Sequence, residues 1–150
     1  MLKNNHLGQA GFTLIELLIS IAIIMVITGM TLPIYESFVR RNDLDLITQT
    51  LAMAIRRAET YARAANYDSA WGIEIQSSSI TLFQGGSFAS RNTAYDETVS
   101  IPGSVTPSGL NDIQFAKLSG LPNITGTIIL TSTTNDTRTV TLNAKGVVSY

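Results

Sequence analysis

One carboxylate stands inside an otherwise apolar run near the start of the chain. Between residues 14 and 32 the only charged residue is Glu16, and the other polar side chains are those of Ser20, Thr28 and Thr31. A carboxylate in a low-dielectric medium costs several kcal/mol, roughly, unless it is paired, hydrogen-bonded or protonated. Glu16 is therefore the first candidate functional residue, and the chemistry it suggests is charge pairing.

The side chains that usually perform catalysis or bind metals are scarce. The 150 residues include no cysteine and one histidine, His6, and the net charge is −1. Thiol nucleophiles and thiolate metal sites are excluded, and a histidine triad would depend on His6 alone. Asp43 and Asp45 are two residues apart and do not share a helical face, so they do not form a convergent acid–base pair. We expect no enzyme, no cofactor and no metal site, and no global basic field that attracts nucleic acid.

The apolar run approaches the length of a membrane helix, which needs about 20 residues. A secretory signal peptide would end in a small-residue cleavage site of the A-x-A type, whereas TGMTLPIYESF follows this run. A plain membrane anchor fits the length but leaves Glu16 unexplained, because ionisable groups in such segments are rare and usually functional. A third interpretation has to account for the residues around Glu16.

The segment Gly11-Phe12-Thr13-Leu14-Ile15-Glu16 resembles the cleavage and methylation motif of type IV prepilins and pseudopilins. In that family a glycine precedes an apolar or aromatic residue, and a glutamate is the fifth residue of the mature chain, at the head of an apolar helix. The resemblance implies that a prepilin peptidase cuts after Gly11. It also implies that the new amine of Phe12 is then methylated.

Residues on both sides of the motif fit the same family. Residues 1–11, MLKNNHLGQAG, resemble a short polar leader carrying one lysine, and their removal would also remove His6. Pro33 falls at position 22 of the mature chain, where the family commonly has a proline. Because proline cannot donate an N–H and clashes with the preceding turn, Pro33 predicts a kink or a local loss of helix. Two interpretations of Pro33 remain. It is either a weak point of the helix that is used in assembly or a proline that only marks the exit from the membrane.

The resemblance also supplies a counter-ion for Glu16. In a filament of staggered helices, the carboxylate of one subunit would lie beside the Phe12 amine of its neighbour and bring the subunits into register. The alternative is that Glu16 reaches the lipid headgroups or stays protonated, because it lies only four residues from the cleaved end.

Apolar residues at helical spacing continue beyond the membrane-like run. Steps of three and four predict an amphipathic helix; they join Leu44, Ile47, Leu51, Ile55, Ala58, Ala62 and Ala65. A helix from Leu14 to Asn66 would be about 80 Å long at 1.5 Å per residue, more than a soluble domain of this size needs. We assign residues 12–33 to a transmembrane or filament-core helix and residues 34–66 to its amphipathic half, whose alternating charges indicate a solvated face.

Alternation with a period of two replaces helical spacing after Asn66. Two hairpins are predicted, WGIEIQ with SITLF and GTIILTS with TRTVTLN, and GVVSY is predicted as an edge strand. Short strands are also expected at TVSIPG and IQFAKL, and loops at residues 85–100 and 104–112. The predicted fold class is α+β: a long N-terminal transmembrane-plus-amphipathic helix packs on an antiparallel β-sheet formed by residues 67–150, as in type IV pilins.

The second half of the chain resembles the GspH/FimT-like minor pseudopilin group, through looser motifs. Trp71-Gly72 opens its first strand, and Phe115, Gly120, the segment Gly126 to Leu130 and the segment Arg138 to Gly146 follow in the order of that group. The resemblance implies a minor subunit that acts at a filament tip or as an initiator. The two later glycines also suit turn or strand-edge positions that need a permissive backbone.

The resemblance therefore implies a minor pilin or pseudopilin of a type IV pilus or a type II secretion pseudopilus. The alternatives are a major pilin and a DNA-binding minor pilin for natural competence, although only Arg138 and Lys145 are basic near the C-terminal end. The implied partners are other pilins or pseudopilins through the N-terminal helix, the prepilin peptidase and the inner-membrane assembly platform. The implied location is a single pass of the inner membrane, with the C-terminal part outside, and then the pilus or pseudopilus.

Overall fold

A computed structural model of the chain describes residues 11–150, and for residues 30–38 and 40 it describes only the course of the helix. The described chain begins with a long helix, continues through a 3-10 helix and ends in eight strands. The bounds are α1 (Leu14–Arg63), the 3-10 helix (Asn66–Asp68), β1 (Trp71–Ile75), β2 (Ser79–Gln84), β3 (Asn92–Ser100), β4 (Val105–Gly109), β5 (Asp112–Phe115), β6 (Gly126–Ser132), β7 (Thr137–Leu142) and β8 (Val148–Ser149). The α+β class is confirmed.

The chain divides into two compact units between Ser37 and Phe38. Helix α1 is continuous through Pro33, so the predicted local loss of helix is not found there, and the alternative of a kink stays a prediction. The side chain of Pro33 lies outside the described residues, and its role in assembly stays a prediction. Within the part of the chain that the structure describes, a search for a helix with the length and apolarity of a membrane span finds none.

The strands form two four-stranded antiparallel sheets where a single sheet was predicted. The first sheet has the order β3-β2-β1-β5 and the second the order β4-β6-β7-β8. Both predicted hairpins are confirmed: Ile73 is opposite Leu82 in the first, and Ile128 is opposite Val140 in the second. Strand β8 pairs with β7 at the edge of the second sheet, as predicted.

Two segments predicted as loops contain strands, and the strand predicted at TVSIPG is confirmed only for Thr98 to Ser100, the end of β3. β3 lies within residues 85–100 and β4 within residues 104–112. β3 is mostly exposed and β4 contains Pro107, so neither shows the apolar alternation that identifies a half-buried strand. Each lies at the edge of its sheet, where polar residues and proline are tolerated because one side of the strand needs no backbone partner.

The second half of α1 supplies one wall of the hydrophobic core. The predicted stripe is confirmed for six of its seven residues, since Leu44, Ile47, Leu51, Ile55, Ala58 and Ala62 are all buried. The prediction is wrong at its end, because α1 stops at Arg63 rather than Asn66 and Ala65 lies beyond the helix in the left-handed region. These side chains belong to one cluster with residues of both sheets, among them Ile73, Ile113 and Phe115 of the first sheet and Ile128, Leu130 and Val140 of the second. The amphipathic half of the helix is therefore covered by strands of the same chain.

Candidate functional site

Gly11 and Phe12 lie just before α1 and belong to neither a helix nor a strand. The side chain of Phe12 is 83% exposed. Apart from Gly11 and its two neighbours in the chain, no described residue has an atom within 4 Å of the position that a Cβ on Gly11 would take. The peptide bond between these residues is therefore accessible within the described chain. The remainder of the predicted leader, residues 1–10, lies outside the described residues.

Thr13 caps the start of α1. Its Oγ1 accepts a hydrogen bond from the Glu16 backbone N–H at 3.3 Å, which satisfies one of the amides that the first turn leaves without a partner. Thr13-Leu14-Ile15-Glu16 has the spacing of a capping box, so this cap is visible in the sequence. A carboxylate in the first turn is also favoured by the positive end of the helix dipole. The capping box and the helix dipole therefore favour a glutamate at position 16, whether or not Glu16 also pairs with another subunit.

The first half of α1 exposes apolar side chains in every direction. The exposed residues are Leu14, Ile15, Leu17, Leu18, Ile19, Ile21, Ile23, Ile24, Met25, Val26 and Ile27. A helix that is apolar all round is stable only when lipid or other protein covers it. This segment therefore needs a partner that the described chain does not provide.

The two described hydroxyl groups of this segment are satisfied by the helix itself. Ser20 Oγ donates to the Glu16 carbonyl at 2.7 Å, and Thr28 Oγ1 donates to the Ile24 carbonyl at 2.7 Å. Both can enter an apolar environment without losing a hydrogen bond. The Glu16 carboxylate is exposed and forms no hydrogen bond or ion pair with a described residue. Between residues 14 and 29, it is the polar side chain whose partner has to come from elsewhere.

Charged side chains on the second half of α1 form ion pairs with residues of the strands. Arg57 pairs with Glu97 of β3, and Asp45 accepts a hydrogen bond from Arg138 Nε of β7 at 2.8 Å. The Tyr61 hydroxyl, which accepts a hydrogen bond from Arg57, raises the pKa of that arginine together with Glu97 and against the effect of burial. The face is exposed as the alternating charges predicted, and some of these exposed charges are also paired with residues of the strands.

Basic residues near the C-terminal end form no free cluster. Arg138 is engaged by Asp45, and Arg56 donates to the Val148 carbonyl at 3.2 Å. Of the two basic residues that the sequence analysis singled out there, Lys145 is the one without an ion pair in the described chain. Phosphate affinity grows with the number of charges that are free to engage, and two of these three basic side chains already have a partner.

Comparison with known proteins identifies the first part of the chain. Residues 7–32 match the family described as the prokaryotic N-terminal methylation motif. This range contains Gly11, Phe12 and Glu16 and ends just before Pro33. It supports the pilin-like family and a type IV pilin or pseudopilin subunit, a class that is structural rather than enzymatic. No curated protein and no solved structure matches the chain.

Proposed function

We propose that this chain is a minor pilin or pseudopilin, a structural subunit of a type IV pilus or a type II secretion pseudopilus. The observation that carries the proposal is that the methylation motif at residues 7–32 coincides with the uncovered apolar half of α1. A processed terminus and an apolar helix without a cover together suit a subunit that is first held in a membrane and then packed among other helices.

In this proposal a prepilin peptidase cuts after Gly11, and the amine of Phe12 is methylated. Residues 12–33 hold the chain in the inner membrane, with the rest outside, until the assembly platform inserts it into a filament. The exposure of Phe12 and the open space around Gly11 support access by the peptidase.

Processing is tested by mass spectrometry of the full chain from cells with and without a prepilin peptidase. With the enzyme, we expect the loss of residues 1–11 and the addition of one methyl group at Phe12. Without it, and in Gly11→Leu with it, the unprocessed chain should remain. Retention of residues 1–11 in cells that process other prepilins would refute the proposal.

We further propose that Glu16 pairs with the methylated amine of Phe12 on a neighbouring subunit. The support is that the nearby hydroxyls are satisfied within the helix, while the Glu16 carboxylate has no partner among the described residues. In an apolar filament core, a carboxylate and an amine are each costly alone and less costly together. The pair would therefore favour one register between adjacent helices.

Two substitutions of Glu16 distinguish its role in capping the helix from its proposed role in pairing with a neighbouring subunit. Glu16→Gln keeps a side chain that suits a capping box but removes the charge, and Glu16→Val removes both. If pairing is the role, both variants are inserted and processed but enter filaments poorly. Ser20→Val is the matched control, because the Ser20 hydroxyl bonds only its own helix, and it should assemble normally. Normal incorporation of Glu16→Gln would reject pairing.

A minor role is supported by the sequence order shared with the GspH/FimT-like group, but two glycines of that order have a simpler explanation. Gly126 and Gly146 have φ values of 151° and 82°, which side-chain-bearing residues rarely adopt. The ratio of this chain to the most abundant subunit in purified filaments tests the role. A ratio well below one is expected, and a chain that forms most of the filament would be a major pilin.

A further inference from the structure

A pocket of about 280 Å³ lies where α1 ends against the first sheet. Four aromatic residues, Tyr61, Tyr67, Trp71 and Tyr95, line it together with polar groups that include Asn66 and Asp96. Trp71 is almost fully buried, whereas Tyr67 is 63% exposed. We propose that this pocket binds a neutral sugar ring. The inference is independent of the processing and pairing proposed above.

The backbone is strained at the first wall of the pocket. Ala65, Tyr67 and Asp68 have φ values of 48°, 52° and 56°, in the left-handed region that residues other than glycine seldom occupy. Such residues cost about 1–3 kcal/mol each and cluster at functional sites. The turn sets the Tyr67 ring 4.4 Å from the Tyr95 ring and 6.4 Å from the Trp71 ring, measured between centroids.

The opposite wall is an irregular part of the first sheet. Leu82 pairs with Glu97 and Gln84 pairs with Asn92, so one residue of β2 faces residues 93–96 of β3. Bulges re-aim side chains and are over-represented beside functional sites. This bulge contains Tyr95 and Asp96, which both line the pocket.

Two buried oxygen atoms on these strands have no hydrogen-bond donor in the described chain. They are Gln84 Oε1 and Asp96 Oδ1. The second carboxylate oxygen of Asp96 accepts a hydrogen bond from Arg91 Nε at 2.7 Å. An unsatisfied buried acceptor costs about 1–3 kcal/mol. Asp96 lines the pocket and Gln84 does not, so the strained turn, the bulge and one carboxylate with an unpaired oxygen meet at this corner. A ligand rich in hydroxyl donors would complement the polar part of that lining.

The charges around the pocket favour a neutral ligand. The Asp96 carboxylate is compensated by Arg91, and the Glu97 carboxylate by Arg57. An organic cation is disfavoured because the Arg57 guanidinium already lies 5.5 Å from the centre of the Tyr61 ring. A pyranose ring has an apolar C–H face for an aromatic ring and hydroxyl groups for amide, phenol and carboxylate oxygens. The volume suits one such ring.

The chain carries its own reporter. Trp71 is the only tryptophan, and it lines the pocket. The full chain, in a zwitterionic detergent without a sugar headgroup, is titrated with methyl glycosides of glucose, galactose, mannose and N-acetylglucosamine, and separately with choline. At least one glycoside should change the Trp71 emission with half-saturation near or below about 10 mM, and choline should not.

Two variants and a matched control complete the experiment. Tyr67→Ala should weaken the binding at least about tenfold, whereas Tyr150→Ala should not change it; the two tyrosines are similarly exposed, at 63% and 60%. If Tyr67→Ala lowers the melting temperature, Asn66→Ala serves instead, because it keeps the carbonyl that accepts from Trp71 Nε1 at 3.1 Å. It should weaken binding without a change in melting temperature.

Three results would overturn the proposal. The first is the absence of a saturable change with any of the four glycosides up to about 100 mM. The second is saturation by choline alone, which would make the site a cation site. The third is binding by folded Tyr67→Ala and Asn66→Ala that equals binding by the wild-type chain.

Discussion

The two halves of α1 contain similar apolar residues and differ in what covers them. Leu17 is 55% exposed, whereas Leu51 is fully buried. The difference lies in the arrangement of the apolar residues: the second half has a stripe at steps of three and four, and the first half is apolar all round. A stripe can be buried by one neighbouring surface, here two sheets of the same chain, but a uniformly apolar helix has to be surrounded. Apolar content alone does not distinguish the two situations.

The largest effect is expected when one leucine in each half of α1 is truncated to alanine. Leu51→Ala should lower the free energy of unfolding of the residue 38–150 unit by about 2–5 kcal/mol, because it removes buried surface and leaves a cavity. Leu17→Ala should change it by less than about 0.5 kcal/mol. Urea unfolding of the full chain in detergent, followed by Trp71 fluorescence, measures both. Equal effects of the two variants would contradict the conclusion that only the second half of α1 is buried by the strands.

Close packing in the second unit can be tested at Gly72 of β1. A Cβ at this position would lie 2.8 Å from the Ile113 carbonyl oxygen and against the Phe83 ring. Gly72→Ala should therefore lower the free energy of unfolding by about 1–3 kcal/mol through overpacking. Gly103→Ala is the control, because no atom lies within 4 Å of its Cβ position. In the same unfolding assay, a neutral Gly72→Ala would show that the strand can shift to make room.

A smaller effect is expected from the ion pair between Asp45 and Arg138, which joins α1 to β7. Both side chains are about half exposed, so solvent screens the pair and its contribution should be about 0.2–1 kcal/mol. A double-mutant cycle with Asp45→Asn and Arg138→Gln measures the coupling in low and high salt. A coupling that is zero at low salt would show that these charges do not help to hold the helix.

The smallest effect concerns Glu74 of β1. Burial, and then the Asp112 carboxylate directly opposite on β5, raise the pKa of Glu74 above 4.5. Because the folded state holds this proton more tightly than the unfolded state, stability falls as the pH rises from 4.5 through the folded pKa. Glu74→Gln should therefore raise the melting temperature at pH 7, and the gain should vanish well below pH 4.5. If Glu74→Gln raised the melting temperature equally at every pH, the ionisation of Glu74 would not be the cause of the gain.

Much of the second unit could be predicted because its residues follow a regular period. The Leu44-to-Ala62 stripe and the two hairpins were visible as steps of three and four and as alternation. Residues 92–97 of β3 and the whole of β4 were missed because edge strands need no apolar face: β3 is polar, and β4 contains Pro107. The Thr13 cap was missed although its spacing could have been read directly.

The sequence alone indicated the processing motif around Gly11 and Phe12, the apolar run and the unpaired charge of Glu16. These features could be predicted because each lies in one continuous stretch of the chain. The sequence also determined the helix, its buried stripe and the central hairpins. The tertiary structure decided the division into two sheets, the ion pairs that fasten α1 to the strands, and the meeting of Tyr67, Trp71 and Tyr95 in one pocket. These depend on contacts between residues far apart in the chain, and no local period specifies which distant partners will meet.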